Sequence, residues 1–337
     1  MLNWFFDLFV GLPNWAEFLA NIFFLGVGMV LLVKGADYFV DSASSLAKIL
    51  GVSTLIIGLT IVSFGTSAPE ASVSIFSQIS GSSDISLGNI VGSNLFNSMV
   101  VLGSSAIFAP IVVHYSLVKR EIPFMVMVTA VLFAFAVFFG VNGNYVLLQI
   151  EGIVLLVLFV WYLGMNFKVA KSGKEVILDI EDDIDIMPAK KSILFLLLGL
   201  LMIIIGGEMV VSGAKNTALM LGVSEALVGL TIVALGTSLP ELVTSVVAAR
   251  KNENDIALGN VIGSNIFNIL LVLGIGSTIG GMVIQPIVII DLLILLGFTF
   301  FLTWTIVVNK KITKAYGYLY LGLYVTYIIY IIFRELG

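Results

Sequence analysis

The chain has 337 residues, of which 59% are hydrophobic and only 11% charged, with a formal net charge of −5 at pH 7. A soluble domain carries about 25% charged residues, so water-soluble fold classes are excluded, and so small a charge imbalance on so apolar a chain says little about partners. There is no cysteine, which excludes a disulfide framework and a thiolate metal site.

The opening segment, MLNWFFDLFVGLPNWAE, lacks a basic n-region and carries Asp7 early. It reads as an interfacial segment with Trp4 and Trp15 at headgroup level, not as a signal peptide. Hydropathy then predicts ten spanning helices, over 17–45, 52–80, 88–110, 121–140, 145–167, 192–218, 224–250, 258–279, 285–308 and 314–334. Runs such as SILFLLLGLLMIIIG at 192–206 do not alternate, as a transmembrane barrel requires. Between the fifth and sixth helices lies the longest hydrophilic segment, 168–191, with EDDID at 181–185. That run lacks the alternating spacing of an EF-hand loop and reads as a solvated linker. Thirteen lysines and arginines, from Lys48 to Lys314, fall on one side under this reading, against Lys215 and Arg334 near the other. The bias puts the 168–191 linker in the cytoplasm and both termini outside.

Residues 51–103 recur at 222–274 at a constant offset of 171, with 27 of 53 positions identical. The offset crosses an odd number of helices, so the second copy enters the membrane in the opposite sense. The expected organisation is a first inverted repeat in 1–167, the linker 168–191, and a second inverted repeat in 192–337. The fold class is thus all-α and polytopic, ten helices in two inverted sets of five.

Both copies place a glutamate inside an apolar stretch, Glu70 in GTSAPE and Glu241 in GTSLPE. Both then carry a second polar block, GNIVGSNLFN ending at Asn97 and GNVIGSNIFN ending at Asn268. Counted along their helices, all four lie roughly 15 Å from the nearer surface, about half of a hydrocarbon core. Pro69 and Pro240 withhold an amide and disturb the carbonyls of Gly65, Thr66, Gly236 and Thr237. Broken backbone at that depth must line a cavity or be buried in protein. Thr66, Ser67, Thr237 and Ser238 add hydroxyls, and Ser93 and Ser264 sit one turn before the asparagines on the same face. The donors are all oxygen, which suits Ca²⁺ and Na⁺ and not zinc or copper. The single histidine, His114, falls in a loop. Two glutamates match one Ca²⁺ or two monovalent ions, and neither tolerates hydrocarbon without a cation or a proton. Gly58, Gly88, Gly92, Gly259 and Gly263 read as helix-packing positions. Asp37 and Glu208, also related by the offset, read equally well as vestibule groups or as water-facing residues near helix ends. Glu151, Asp291 and Glu225 read as interfacial.

The doubled blocks GTSAPE with GNIVGSNLFN and GTSLPE with GNVIGSNIFN resemble the two α-repeats of sodium/calcium exchangers in the cation/calcium antiporter superfamily, of prokaryotic type. The resemblance spans the chain in helix count, repeat layout and central loop. It implies that helices 2, 3, 7 and 8 form the ion site while long helices 1 and 6 slide past them. It implies ion ligands at Ser63 and Ala234 through backbone carbonyls, and at Thr66, Ser67, Glu70, Ser93, Asn97, Thr237, Ser238, Glu241, Ser264 and Asn268. One departure stands out: well-studied members carry an aspartate where this chain has Asn268, so the largest site charge falls from −3 to −2. The large cytoplasmic regulatory domains of animal exchangers have no counterpart in the central loop.

The expected function is Na⁺/Ca²⁺ antiport by alternating access in a prokaryotic cell membrane. A proton/calcium exchanger, or a potassium-dependent variant, would use the same glutamates. A cation channel is a remote rival, because one chain supplies both halves of a closed site. No HExxH, Ser–His set or thiol supports an enzyme. The expected partners are the lipid bilayer, Na⁺ and Ca²⁺ as transported ions, and H⁺ in the proton-coupled case; nucleic acid, an organic cofactor and an obligatory protein partner are not expected.

Overall fold

The computed structural model describes residues 13–139, 145–172, 187–223 and 234–336. Among these, eight helices are long and apolar enough to cross a membrane, and the bent pair Thr54–Thr66 and Ala68–Ile79 makes a ninth span. In chain order they are α1 (Asn14–Leu50), α2a (Thr54–Thr66), α2b (Ala68–Ile79), α3 (Ser83–Phe108), α4 (Leu117–Phe138), α5 (Gln149–Ser172) and α6 (Ala189–Met220). There follow α7a (Ala234–Gly236), α7b (Leu239–Arg250), α8 (Asn254–Gly280), α9 (Pro286–Asn309) and α10 (Lys314–Leu336). The start of the predicted seventh helix with Glu225, the EDDID run, and Trp4 and Asp7 lie outside the described residues.

The helices run longer than hydropathy predicts. α3 and α8 begin at Ser83 and Asn254, with Asp84 and Asp255 in their first turns, where a carboxylate complements the exposed N–H groups. Hydropathy leaves such residues in loops. α1 continues to Leu50 and stops at Gly51, which takes the left-handed conformation at φ 65°; such a stop favours glycine.

α3 and α8 are the central helices. The most apolar window of α8 is 94% buried and that of α3 78%, against 17–44% in the other long spans. The outer helices turn large side chains such as Val157, Trp161, Leu197 and Leu201 outward, the surface a bilayer would cover.

α1 and α6 pack through reciprocal glycines. A Cβ on Gly28 would lie 2.8 Å from the Gly206 carbonyl, and one on Gly35 2.8 Å from that of Gly199. The offset carries Gly28 to Gly199 and Gly35 to Gly206, so this contact maps onto itself when the halves are exchanged. Small residues at a helix crossing let two backbones approach closely.

Two short ribbons join the halves. β1 (Ile111–Val112) pairs antiparallel with β4 (Lys311–Ile312), and β2 (Tyr145–Leu147) with β3 (Met282–Ile284). Each takes one strand from a connection in each half. Strands of two or three residues carry no period that hydropathy can detect.

Charges near the helix ends are paired. Arg334 contacts both carboxylate oxygens of Asp291, at 2.9 and 3.1 Å, while Glu121 accepts from Arg120 and from the Tyr162 hydroxyl. On one face the α7b–α8 turn grips α1: Lys251 Nζ lies 2.7 Å from Asp41 and 3.4 Å from Asp37, and Ser44 donates to Glu253 at 2.6 Å. The offset places Ser80 where Lys251 stands, so the opposite face cannot form the same ion pair.

Candidate ion site

Each helix that carries a site glutamate is broken just before it. α2a ends at Thr66, Ser67 leaves helical geometry at φ −81°, ψ 6°, and α2b restarts with Pro69 and Glu70 in its first turn, at a bend of 50°. Ser238 does the same at φ −93°, ψ 6°, ahead of Pro240 and Glu241. Proline is tolerated in a first turn because that N–H needs no helical partner. The prolines therefore open the second segment of each helix, just past the broken backbone expected at this depth. Each glutamate then sits at a helix N-terminus, whose partial positive charge favours an anion.

The two halves lock together at this point. Ser67 Oγ donates to Glu241 Oε1 at 2.8 Å, and Ser238 Oγ donates to Glu70 Oε1 at 2.8 Å. The two bonds exchange under the offset of 171. Both glutamates and both serines are fully buried. Among the described residues, one oxygen of each carboxylate, Oε2, has no hydrogen-bond partner. A buried acceptor without a partner is costly, and a carboxylate oxygen more so.

The remaining predicted residues differ in their surroundings. Ser93 Oγ lies 3.1 Å from Ser238 Oγ, whose one hydrogen goes to Glu70, so Ser93 is the donor in that contact. The buried Ser264 hydroxyl, the Asn268 oxygen and both amide atoms of Asn97 have no partner. Asn97 and Asn268 each open a π-helical turn, Asn97–Val101 and Asn268–Leu273, a geometry frequent at functional sites. The Ser63 carbonyl accepts the Ser67 N–H at 3.0 Å, which leaves it one lone pair; its hydroxyl turns back to Leu59 at 2.8 Å. Ala234 begins α7a. The Thr66 hydroxyl donates to Asn260 Oδ1 at 2.9 Å and lies beside the Glu241 carboxylate, while the Thr237 hydroxyl donates to Asn89 Oδ1 at 3.4 Å.

Asn89 and Asn260 are functional candidates that the sequence reading missed. Their amides donate to the Glu70 and Glu241 carbonyls at 3.3 and 3.4 Å, and to Ser74 and Ser245 at 2.9 Å each. They tie each glutamate's backbone to the neighbouring helix. Both occur in the doubled GN pairs, a signal passed over in favour of the residues one turn before Asn97 and Asn268. Asp37 belongs to the clasp with Lys251, and Glu208 is half-buried on α6.

The two approaches to the site differ. Where α2a crosses α8, a Cβ on Gly259 would lie 2.9 Å from Gly58 Cα, and one on Gly263 2.7 Å from the Leu59 carbonyl. Gly259 and Asn260 are buried. Their counterparts on α3, Gly88 and Gly92, meet nothing within 4 Å among the described residues, and Gly88 is exposed and Asn89 half-buried. The packing role read for these glycines is seen at Gly58, Gly259 and Gly263. The site is sealed beside α8; the segment that the offset places beside the start of α3, 229–233, lies outside the described residues.

Among the described residues no group of three or more histidines, aspartates or glutamates is placed to hold a metal. Two carboxylates among amides, hydroxyls and carbonyls make a hard-oxygen site of modest charge.

The profile of the family described as "Sodium/calcium exchanger protein" matches residues 20–168 and 191–333. The chain is 41% identical to the putative antiporter CaxA of Alkalimonas amylolytica, over 79% of its own length and 82% of that protein. It is 36% identical to the sodium/calcium exchanger MaX1 of Methanosarcina acetivorans, over 76% of its length and 82% of that protein. Among solved structures, the sodium-calcium exchanger NCX_Mj superposes with a TM-score of 0.78 at 33% identity, covering 92% of this chain and 98% of the other.

Proposed function

The chain belongs to the sodium/calcium exchanger family, and from that premise we propose that it exchanges Na⁺ for Ca²⁺ at a single site between Glu70 and Glu241. It is an integral membrane protein, a cation/Ca²⁺ exchanger by family and not an enzyme. The observation that carries the finer reading is the pair of reciprocal serine–glutamate bonds, each of which leaves one buried carboxylate oxygen without a partner. Those oxygens, with Asn97, Asn268, Ser93, Ser264 and the carbonyls of Ser63 and Ala234, form the cation cage. Thr66 and Thr237 support it from behind through Asn260 and Asn89.

The architecture is two inverted five-helix repeats, 1–167 and 192–337, joined by a cytoplasmic linker at 168–191, with both termini outside. In that orientation the sealed α2a–α8 crossing is cytoplasmic and the exposed Gly88 at the start of α3 is external. Sodium entering from outside replaces calcium, and α1 and α6 move as one unit to seal one approach and uncover the other. An empty pair of buried carboxylates is unfavourable, so one ion leaves as others enter.

The experiment is calcium uptake into proteoliposomes driven by an outward sodium gradient at clamped pH. Uptake that requires internal sodium and persists without a pH gradient is expected. Uptake driven by a proton gradient in sodium-free buffer would establish the proton-coupled reading instead.

Asn268 bears on coupling. Its Nδ2 donates to Asn94 Oδ1 at 3.1 Å, and of the forms of a carboxyl group only the protonated one can supply that hydrogen. Asn268→Asp is therefore expected to leave the reversal potential of exchange unchanged. A shifted reversal potential would mean that an ionised carboxylate at this position alters the number of sodium ions per calcium.

A further inference from the structure

The amide of Asn268 has an oxygen end and a nitrogen end, and only the oxygen can hold a cation. The hydrogen bonds behind it decide which end is which. Asn94 is buried in α3, and its Nδ2 donates to the backbone carbonyl of Asn265 at 3.2 Å. A carbonyl only accepts, so that end of Asn94 must be nitrogen. Its Oδ1 is thereby turned to Asn268 and can only accept, and Asn268 Nδ2 donates to it at 3.1 Å. Oδ1 is the end of Asn268 that remains, and it has no hydrogen-bond partner, like the Oε2 atoms of Glu70 and Glu241. The order of atoms is thus dictated by a fixed backbone group two links away.

The first repeat lacks this arrangement. Asn265 is the counterpart of Asn94, but it gives its Nδ2 to the Ser98 hydroxyl at 2.8 Å. Ile269 stands at the matching position in the second repeat. Both amide atoms of Asn97 are left without partners. One asparagine is oriented and the other is not, although the motifs around them read alike.

We propose that Asn94 is a positioning residue of the ion site: it touches no ion and holds Asn268 with its oxygen, not its nitrogen, available to the cation. This rests on the reading of Asn268 as a ligand. Groups behind a metal ligand usually matter about 10- to 100-fold in affinity. Asn94→Leu removes both bonds, so the Asn268 amide is free to reverse. Calcium uptake by this variant in sodium-loaded proteoliposomes should need roughly tenfold more sodium or more for half-maximal rate.

The discriminating measurement repeats Asn94→Leu in an Asn268→Asp background. A carboxyl group has oxygen at both ends, so reversal no longer matters, and the added loss should shrink to about threefold or less, a coupling of the size that neighbouring residues show. Asn94→Asp, whose protonated carboxyl offers one donor and one acceptor in the same shape, should keep its half-maximal sodium within about threefold of the parent. It decides the matter if the leucine variant fails to fold. Equal losses in both backgrounds, no loss in either, or a tenfold loss in Asn94→Asp would overturn the positioning role. Failure of the underlying site is seen elsewhere, as exchange that survives Asn268→Leu or Glu70→Gln.

Discussion

Glu70→Gln and Glu241→Gln each abolish calcium exchange in reconstituted vesicles while the protein remains monodisperse. The amide matches the carboxylate in shape and keeps an oxygen for the serine across the interface, Ser238 for Glu70 and Ser67 for Glu241. What it loses is charge. Two unit charges about 4 Å apart interact by roughly 4 kcal/mol at the effective dielectric that suits protein sites, and each 1.4 kcal/mol is about a factor of ten. A divalent ion feels the loss at least as strongly, so uptake should fall by about a thousandfold or more. Because the two serine–glutamate bonds have the same length and exchange under the repeat offset, neither glutamate should prove dispensable. The measurement is initial calcium uptake against a sodium gradient, with size-exclusion chromatography as the control for folding. Flux within tenfold of the parent in either variant would remove the paired carboxylates from the mechanism.

Bridging α1 to the α7b–α8 turn should arrest exchange, whereas bridging α1 to α6 should not. Lys251 contacts Asp41 and Asp37 of α1 across a boundary that must open if α1 is to move past the site. These side chains are partly exposed, and such ion pairs contribute only about 0–1 kcal/mol. The clasp can therefore open on every cycle, and a covalent bridge cannot. The chain has no cysteine, so Asp41→Cys with Lys251→Cys offers the only two thiols to a short bismaleimide. Cross-linked protein should lose essentially all uptake, and the uncross-linked double variant should retain it. The control pair, Asn21→Cys with Asn216→Cys, replaces a contact of 3.4 Å between α1 and α6, and its bridge should be tolerated. Full exchange with Asp41 and Lys251 positions bridged would show that α1 does not travel against this turn.

The parts of the site that sequence revealed are those with no other use for their chemistry. A glutamate in an apolar helix has almost no packing role, and Glu70 and Glu241 meet where their shared offset implied. Asparagine is ambiguous, because a buried amide can ligate, brace or simply join helices. The repeat marks Asn89, Asn94, Asn97 and their counterparts alike, and only the hydrogen bonds sort them. They show Asn89 holding the Glu70 backbone, Asn94 facing Asn268, and Asn97 without partners. The threonine hydroxyls show the same ambiguity: beside a glutamate in sequence, each donates to an asparagine of α8 or α3 in space. Gly88 and Gly259 occupy equivalent places in sequence, yet one is exposed and the other sealed. Exposure of that kind belongs to a conformation, and a repeat describes both conformations equally.

If α1 and α6 move as proposed, the two ribbons belong to the part that stays in place. One fastens the α3–α4 connection to the α9–α10 connection, and the other fastens α4–α5 to α8–α9. Neither includes a residue of α1 or α6, which are joined to each other through glycines instead. Six helices, α3 to α5 and α8 to α10, are laced together at both rims, and the proposed carriage, the crossed pair α1 and α6, stands outside that lacing together with α2a, α2b, α7a and α7b.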